Sequence, residues 1–235
     1  TFPYEILIHD DASPDNTAEI IREYEAKYPE IIKPIYQKVN QYSQGIDVGK
    51  YNFERAGGKY IALCEGDDYW TDPKKLQIQV DFLEKHPEYV GTAHNVWTIN
   101  EFGQPVDENK HPYPIQDEHL FTIKDAENFH LPGQTASIVF RNIFKDINDE
   151  IKQNYYLCKT NGDQKLSLLI TLNGNIWCLK QIMADHRKIV TSGDSWSART
   201  HDKNLSLETY LQAKNRAEFV KRSFNYTTNI DEIYI

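Results

Sequence analysis

The chain has 235 residues, a net charge of −9, 40% hydrophobic residues and 26% charged residues. That is enough apolar material to bury a core, which excludes a disordered chain, and an acidic balance without a long basic run excludes nucleic-acid binding driven by phosphate neutralisation. Cys64, Cys158 and Cys178 stand far apart with no CxxC pair, which argues against a zinc site or a disulfide scaffold and for a reducing compartment.

No apolar stretch approaches the ~18 residues of a membrane span, and no signal peptide is seen. The sequence opens on Thr1 and runs almost at once into a strand pattern, as a fragment of a longer protein would. Tyr4 to His9 is rich in strand formers. Asp10-Asp11-Ala12-Ser13-Pro14-Asp15-Asn16 reads as a turn, and Asn16 with Glu19 as a helix start. Ala18, Ile21, Tyr24 and Tyr28 predict one apolar helix face, which Pro29 closes. Residues 31–36 predict a second strand, with Pro34 suited to an edge. Residues 46–56 predict a helix stopped by Gly57-Gly58, followed by a strand over 59–64.

Cys64-Glu65-Gly66-Asp67-Asp68-Tyr69-Trp70 follows that strand directly. Clustered carboxylates at a strand end lie at the rim of a sheet, where α/β folds bind ligands. Adjacent carboxylates repel and call for a cation. A hard divalent ion that also holds substrate phosphates satisfies that need, and a solvated acidic turn is the plain alternative. Asp72-Pro73 predicts an N-cap and first turn, with Leu76, Val80 and Leu83 facing inward. Strands are predicted over 89–99, 136–140 and 176–183. Residues 100–133 carry Pro105, Pro112, Pro114 and Pro132 and read as loop. Helices are predicted over 163–172, stopped by Asn173-Gly174, and over 205–224, with Tyr210, Ala213, Ala217, Val220 and Phe224 on one face. Strands alternating with helices predict an α/β fold with a mainly parallel sheet.

Other polar groups stand at element boundaries. Asp163, in Asn161-Gly162-Asp163-Gln164, reads first as a helix cap and second as a general base at a helix terminus. Asp185-His186-Arg187 follows the last strand, where an arginine clamps phosphate or forms a surface ion pair. His9, His94, His111, His119, His130 and His201 show no metal-ligand spacing.

Taken in order, these segments resemble family 2 glycosyltransferases of the GT-A fold. Tyr4 to Thr17 is similar to that family's nucleotide-binding segment. Asn40, Gly45 and Gly58-Lys59-Tyr60-Ile61-Ala62 continue the likeness. Glu65 to Leu76 looks like its DxD-type metal motif and following helix, and Gly162-Asp163 like its catalytic-base motif. The resemblance covers about residues 4–200 and implies a Rossmann-like, mainly parallel sheet flanked by helices.

The resemblance also implies roles. Asp11 would meet the uracil of a UDP-sugar, with Asp10 and Ser13 beside it and Lys50 near the diphosphate. Asp67 would hold ribose and share a Mn2+ or Mg2+ with Asp68. Arg187 would bind phosphate, and Asp163 would be the base of an inverting transfer. The acceptor would be a glycan or a lipid-linked sugar in polysaccharide biosynthesis. Location would be cytoplasmic, compatible with peripheral association at the inner membrane face, and no nucleic acid is implied. Residues 1–99 would bind the nucleotide-sugar, 100–200 the acceptor, and 201–235 would add a helix and tail. Two departures stand out. The family's usual first strand is absent, which predicts weakened nucleotide binding. Ile189 stands where the family often has histidine. The alternatives are a sugar nucleotidyltransferase, which releases pyrophosphate, and an inactive glycan-binding domain.

Overall fold

The computed structural model describes residues 2–106, 114–188 and 205–228. Ile189, His111 and His201 lie outside the described residues. The chain divides into two units, Thr1–Lys59 with Phe144–Leu157, and Tyr60–Ile143 with Cys158–Ile235. Residues 60–99 fall in the same unit as the strands that follow them.

In the first unit, β1 (Ile6–Asp10) and β2 (Ile32–Tyr36) form a parallel pair. Helix α1 (Thr17–Lys27) supplies the crossover that parallel strands need. Pro34 lies on β2, whose ladder partner is β1, and a strand paired on one side tolerates a residue with no amide hydrogen. Of the four residues predicted to face inward on α1, Ile21 is buried and Tyr24 and Tyr28 are exposed. The inner face runs instead through Glu25, which accepts a hydrogen bond from the Tyr36 hydroxyl at 3.0 Å. The helix expected over 46–56 shrinks to α2 (Lys50–Phe53). Helix α5 (Asp149–Leu157), unforeseen in the sequence, completes this unit, with Tyr155 buried. Phe53 stacks on Phe144 at 4.3 Å.

The second unit holds a sheet in the order β3-β7-β5-β8-β4, with β6 also on β8. The strands are β3 (Tyr60–Ala62), β4 (Tyr69–Trp70), β5 (Tyr89–Ile99), β6 (His119–Phe121), β7 (Val139–Arg141) and β8 (Asn175–Arg187). β5 and β8 form a long parallel ladder, whereas the pairs β3–β7, β5–β7, β4–β8 and β6–β8 are short and antiparallel. With β1–β2, the parallel ladders carry most of the paired residues, as an α/β fold requires. Since β7 opposes both β3 and β5, strands β3, β5 and β8 all run the same way. They end at one rim.

The β5–β8 ladder is irregular in its middle. Leu179 pairs with His94, whereas Ala184 already pairs with Val96. Asn95 fills this bulge, donating from Nδ2 to the carbonyls of Lys180 and Ile115 and accepting the Ile115 amide at 2.8 Å. Burying that amide side chain costs little because its hydrogen-bonding groups are used.

Helix α4 (Ile123–Glu127) opens with a capping box between Thr122 and Asp125. Helix α6 (Gly162–Leu172) buries every residue from Lys165 to Thr171. It ends at Asn173, and Gly174 adopts a φ of +147°, which glycine tolerates best. Helix α7 (Leu205–Phe224) buries Ala213, Arg216, Phe219 and Val220. Arg216 stacks over Phe129 at 4.2 Å and donates to the Ala126 carbonyl.

Helix α3 (Lys75–Lys85) departs most from its predicted stripe. It begins two residues after Pro73, and its fully buried residues are Lys75, Gln79 and Leu83. Lys75 Nζ donates to Gln79 Oε1 at 2.9 Å and sits 4.3 Å from the centre of the Trp70 ring. Gln79 Nε2 donates to Thr92 Oγ1 at 3.0 Å and to the Ser137 carbonyl at 2.9 Å. Burial lowers the Lys75 pKa to about 7. An ordinary lysine, as in the unfolded chain, titrates at 10.5. Between those values the unfolded chain binds one more proton than the folded chain, so this group makes stability rise with pH. Urea unfolding of wild type and Lys75→Met at pH 6, 7.5 and 9 checks this. The difference should shift in favour of wild type as pH climbs above 7, by up to about 1.4 kcal/mol per unit. A pH-independent difference would show that Lys75 stays charged.

Candidate active site

In the first unit, β1 delivers Asp10 and Asp11 to the loop before α1. Asp10 is buried, and its Oδ1 accepts the Ser13 amide at 3.3 Å. Asp11 accepts the Gln41 amide on Oδ1 at 2.8 Å and the Tyr42 amide on Oδ2 at 2.9 Å. Asn40 Nδ2 donates to the Asp11 carbonyl at 2.9 Å. Asp11 therefore ties the 39–44 loop to the end of β1, and its remaining lone pairs stay available to a ligand. Ala12 has a φ of +60°, strained for a residue with a side chain and typical of functional turns. The helix-capping role falls to Asp15, whose Oδ1 accepts the Thr17 amide at 3.0 Å. Lys50 Nζ lies 5.2 Å from the centre of the Tyr51 ring, and Tyr51 stacks on His9 at 4.6 Å. Arg55, unnoticed in the sequence, donates to the carbonyls of Ile8 and Lys33 and so bridges both strands.

In the second unit, the acidic turn leaves β3 at the rim and enters β4. Asp68 is buried, and its Oδ1 accepts the Arg187 amide at 2.8 Å. His186 Nδ1 stands 3.2 Å from the same oxygen and 2.9 Å from the Gln134 amide nitrogen. Burial opposes a charge on His186. The hydrogen bond to Asp68 and the fields of Asp68, Glu65 and Asp67 outweigh it and raise its pKa.

Glu65 stands on the same turn, a solvent-exposed residue whose carboxyl is crowded by its neighbours. Burial, then Asp68 and Asp67, and in smaller measure Asp163, push its pKa up to about 7 against the pull of His186. Glu65 thus senses Asp67, Asp68, His186 and Asp163 together. The sequence reading named three of those residues for the site. Glu65 and His186 stand in segments the sequence singles out but receive no role there; Glu65 lies three residues past the end of β3 and His186 one residue before the end of β8.

Asp163 lies in the first turn of α6. Helix α6 enters β8 through Asn173-Gly174, so its first turn is at the far end, the rim. Asn161 is the N-cap residue, without a side-chain capping bond. Asp163 Oδ1 instead accepts the amide of its neighbour Gln164 at 2.7 Å. Burial raises the Asp163 pKa, while that amide and Arg216 pull the other way.

Arg187 stands beside the acidic turn, as its position in sequence suggests. Its guanidinium donates to the backbone carbonyls of Asp67, Asn100 and Glu101 at 3.0–3.1 Å. Those contacts brace the turn.

Among the described residues, no group of three or more His, Cys, Asp or Glu side chains could enclose a metal ion. The donors at the turn nevertheless suit a hard divalent cation: the carboxylates of Glu65 and Asp67 are exposed and adjacent to the buried Asp68. Mg2+ and similar ions are commonly held by one or two carboxylates, with substrate phosphates completing the shell.

Residues 1–147 match the Glycosyl transferase family 2 model. The chain belongs to that family. An uncharacterized protein of Mycobacterium tuberculosis is 35% identical over 220 residues, covering 89% of this chain and 60% of that protein. The chain thus spans about 60% of that relative's length. Putative glycosyltransferase EpsE of Bacillus subtilis is 37% identical over 43% of this chain and 35% of its own length. Putative teichuronic acid biosynthesis glycosyltransferase TuaG of the same organism is 33% identical over 46% of this chain and 41% of its own. Among solved structures, GalNAc-T7 with UDP, GalNAc and Mn2+ superposes with a TM-score of 0.53 at 12% identity, covering 92% of this chain and 43% of that chain. That likeness establishes the GT-A fold. Among the described residues, no helix of this family 2 member is long and apolar enough to cross a membrane.

Arg187→Lys should loosen the acidic turn, because an ammonium cannot span three carbonyls as a planar guanidinium does. We expect a loss of about 1–3 kcal/mol in urea unfolding, with faster hydrogen exchange of the Asp68 and Tyr69 amides. Unchanged exchange there would mean that the brace does not hold the turn.

Proposed function

We propose that the protein transfers a sugar from a nucleotide-sugar, a UDP-sugar, to a hydroxyl of a glycan or lipid-linked acceptor with inversion. One observation carries the reading within the family: at the rim the buried Asp68 carboxylate, with Asp67 beside it, is held by the Arg187 amide at 2.8 Å and faces His186 at 3.2 Å. A carboxylate at a helix start and a crowded acidic turn are the two halves such a reaction needs. Asp163 would take the acceptor's proton. Burial raises its pKa, which brings a base nearer the operating pH. The acceptor oxygen bonds to the anomeric carbon, the bond from that carbon to the diphosphate oxygen breaks, and the electron pair leaves with UDP. Inversion follows from a single displacement, and no protein nucleophile is required.

Asp67 and Asp68 would hold Mn2+ or Mg2+, which supplies positive charge against the leaving diphosphate. Asp10, Asp11, Ser13 and Lys50 would bind the nucleotide. His186 and the Arg187 brace would hold Asp68 and the turn in place. UDP and Mn2+, present with GalNAc-T7, are the natural first probes. A lipid-linked acceptor would bring the protein to a membrane surface. Release of free UDP distinguishes this activity from nucleotidyl transfer, which would release pyrophosphate.

Two variants separate the roles. Asp68→Asn should weaken metal-dependent UDP binding, measured by calorimetry, along with turnover. Asp163→Asn should lower turnover about 10² to 10⁴-fold, the range for a general base, while UDP affinity and melting temperature hold. Asparagine keeps an oxygen to accept the Gln164 amide, so a helix-end role alone would leave the rate intact. Wild-type turnover in Asp163→Asn would remove its assignment as the base.

A further inference from the structure

At the rim, the sheet of the second unit has two differently equipped faces. Val96, Ala184 and Trp70 lie on one, packed with Ala136. The neighbouring residues lie on the other, where the register sets Trp97 beside Asp185 and Asp185 beside Tyr69. Three adjacent strands thus present a row of aromatic, carboxylate and aromatic. Tyr69 and Asp185 lie directly opposite each other across the antiparallel β4–β8 pair. Both rings meet solvent, Tyr69 at 42% exposure and Trp97 at 37%. Since the two rings sit two strand spacings apart, their separation is ~10 Å, the span of a disaccharide.

The row continues toward the acidic turn. Tyr69 directly follows Asp68, and Arg187 lies on the same face of β8 as Asp185, two residues on. The Arg187 guanidinium binds the carbonyls of both Asp67 and Glu101, which fixes the 100–104 turn beside the acidic turn. Asn100 closes that turn, its Oδ1 accepting the amides of Phe102 at 3.0 Å and Gln104 at 2.9 Å. Phe102, at the tip, is 79% exposed. A turn this firmly built that offers an aromatic ring to solvent is equipped for contact.

We propose that Tyr69, Asp185 and Trp97, continued by Phe102, form a binding platform for a neutral glycan chain. The apolar C–H faces of pyranose rings stack on aromatic rings, and sugar hydroxyls donate to the carboxylate between them. The Asp185 carboxylate and the net charge of −9 disfavour an acidic glycan or an anionic lipid surface. The inference deepens the proposed transfer, and rests on it, by making a neutral glycan the acceptor that leads into the acidic turn.

Native gels cast with hydroxyethyl cellulose, glycol chitin or alginate test the platform on the full chain, alongside flotation with anionic phosphatidylglycerol vesicles. We expect retardation by at least one of the two neutral polymers and none by alginate. Trp97→Leu, which keeps apolar volume, and Phe102→Ala, at an exposed tip, should each weaken that retardation about two- to tenfold, the scale of one aromatic contact. UDP binding in the presence of Mn2+ should be the same in both variants as in wild type. Equal retardation of wild type and variants, no retardation of wild type, or vesicle binding that depends on these residues would each overturn the platform. Loss of UDP binding by wild type would instead count against the proposed transfer while leaving polymer binding to be read independently.

Discussion

The Asp68 carboxylate is the constraint on which the rim of the second unit depends. It is buried, so its charge must be met by partners within the protein. One oxygen takes the Arg187 amide and faces the His186 ring. Through those contacts the acidic turn is fastened to the end of β8. The same strand end sends the Arg187 side chain back to the Asp67 carbonyl, so turn and strand hold each other from both sides. Asp67 and Glu65 are thereby carried on a turn that is fixed at both Asp67 and Asp68.

Beneath that scaffold lies a polar floor. Trp70 is held by its indole N–H on the Ala136 carbonyl at 3.0 Å, with Lys75 Nζ packed 4.3 Å from its ring centre. Gln79 carries the connection on to Thr92 and Ser137. An apolar floor would be as stable or more so. This one joins α3, β5 and the segment before β7 by directional bonds, which fixes where β4 begins and hence where the acidic turn must end.

Much of the fold was legible because its period was clean. Residues 89–99 are a strand with the predicted bounds, and the turns at Gly174 and Asp72-Pro73 stop and start helices close to where their chemistry says. β4 and β6 were not legible: they have two and three residues, too few to show a period, and exist through pairing with β8, whereas the equally short β3 and β7 stand in longer runs of strand formers. The stripe on α3 misled because Lys75 and Gln79 read as solvent-facing, and their burial is decided by partners far off in sequence. For the candidate site, Asp10, Asp11, Asp67, Asp68 and Asp163 announced themselves by standing at element boundaries. The bracing roles of Asn40, Arg55 and Arg187 are tertiary: each is set by which backbone carbonyls come within reach.

The bulge held open by Asn95 makes the chemistry of the rim a matter of parity. Between the pairs His94–Leu179 and Val96–Ala184, β8 carries more residues than β5. Side chains alternate along a strand, so the number of surplus residues decides which face each later side chain takes. Removing one of them would either shorten the bulge or slip the later register by one, and in the second case His186 and Arg187 exchange faces without a change in any residue of the site. A length change in that short segment, which holds none of the turn's carboxylates, can thus act on the rim through register alone.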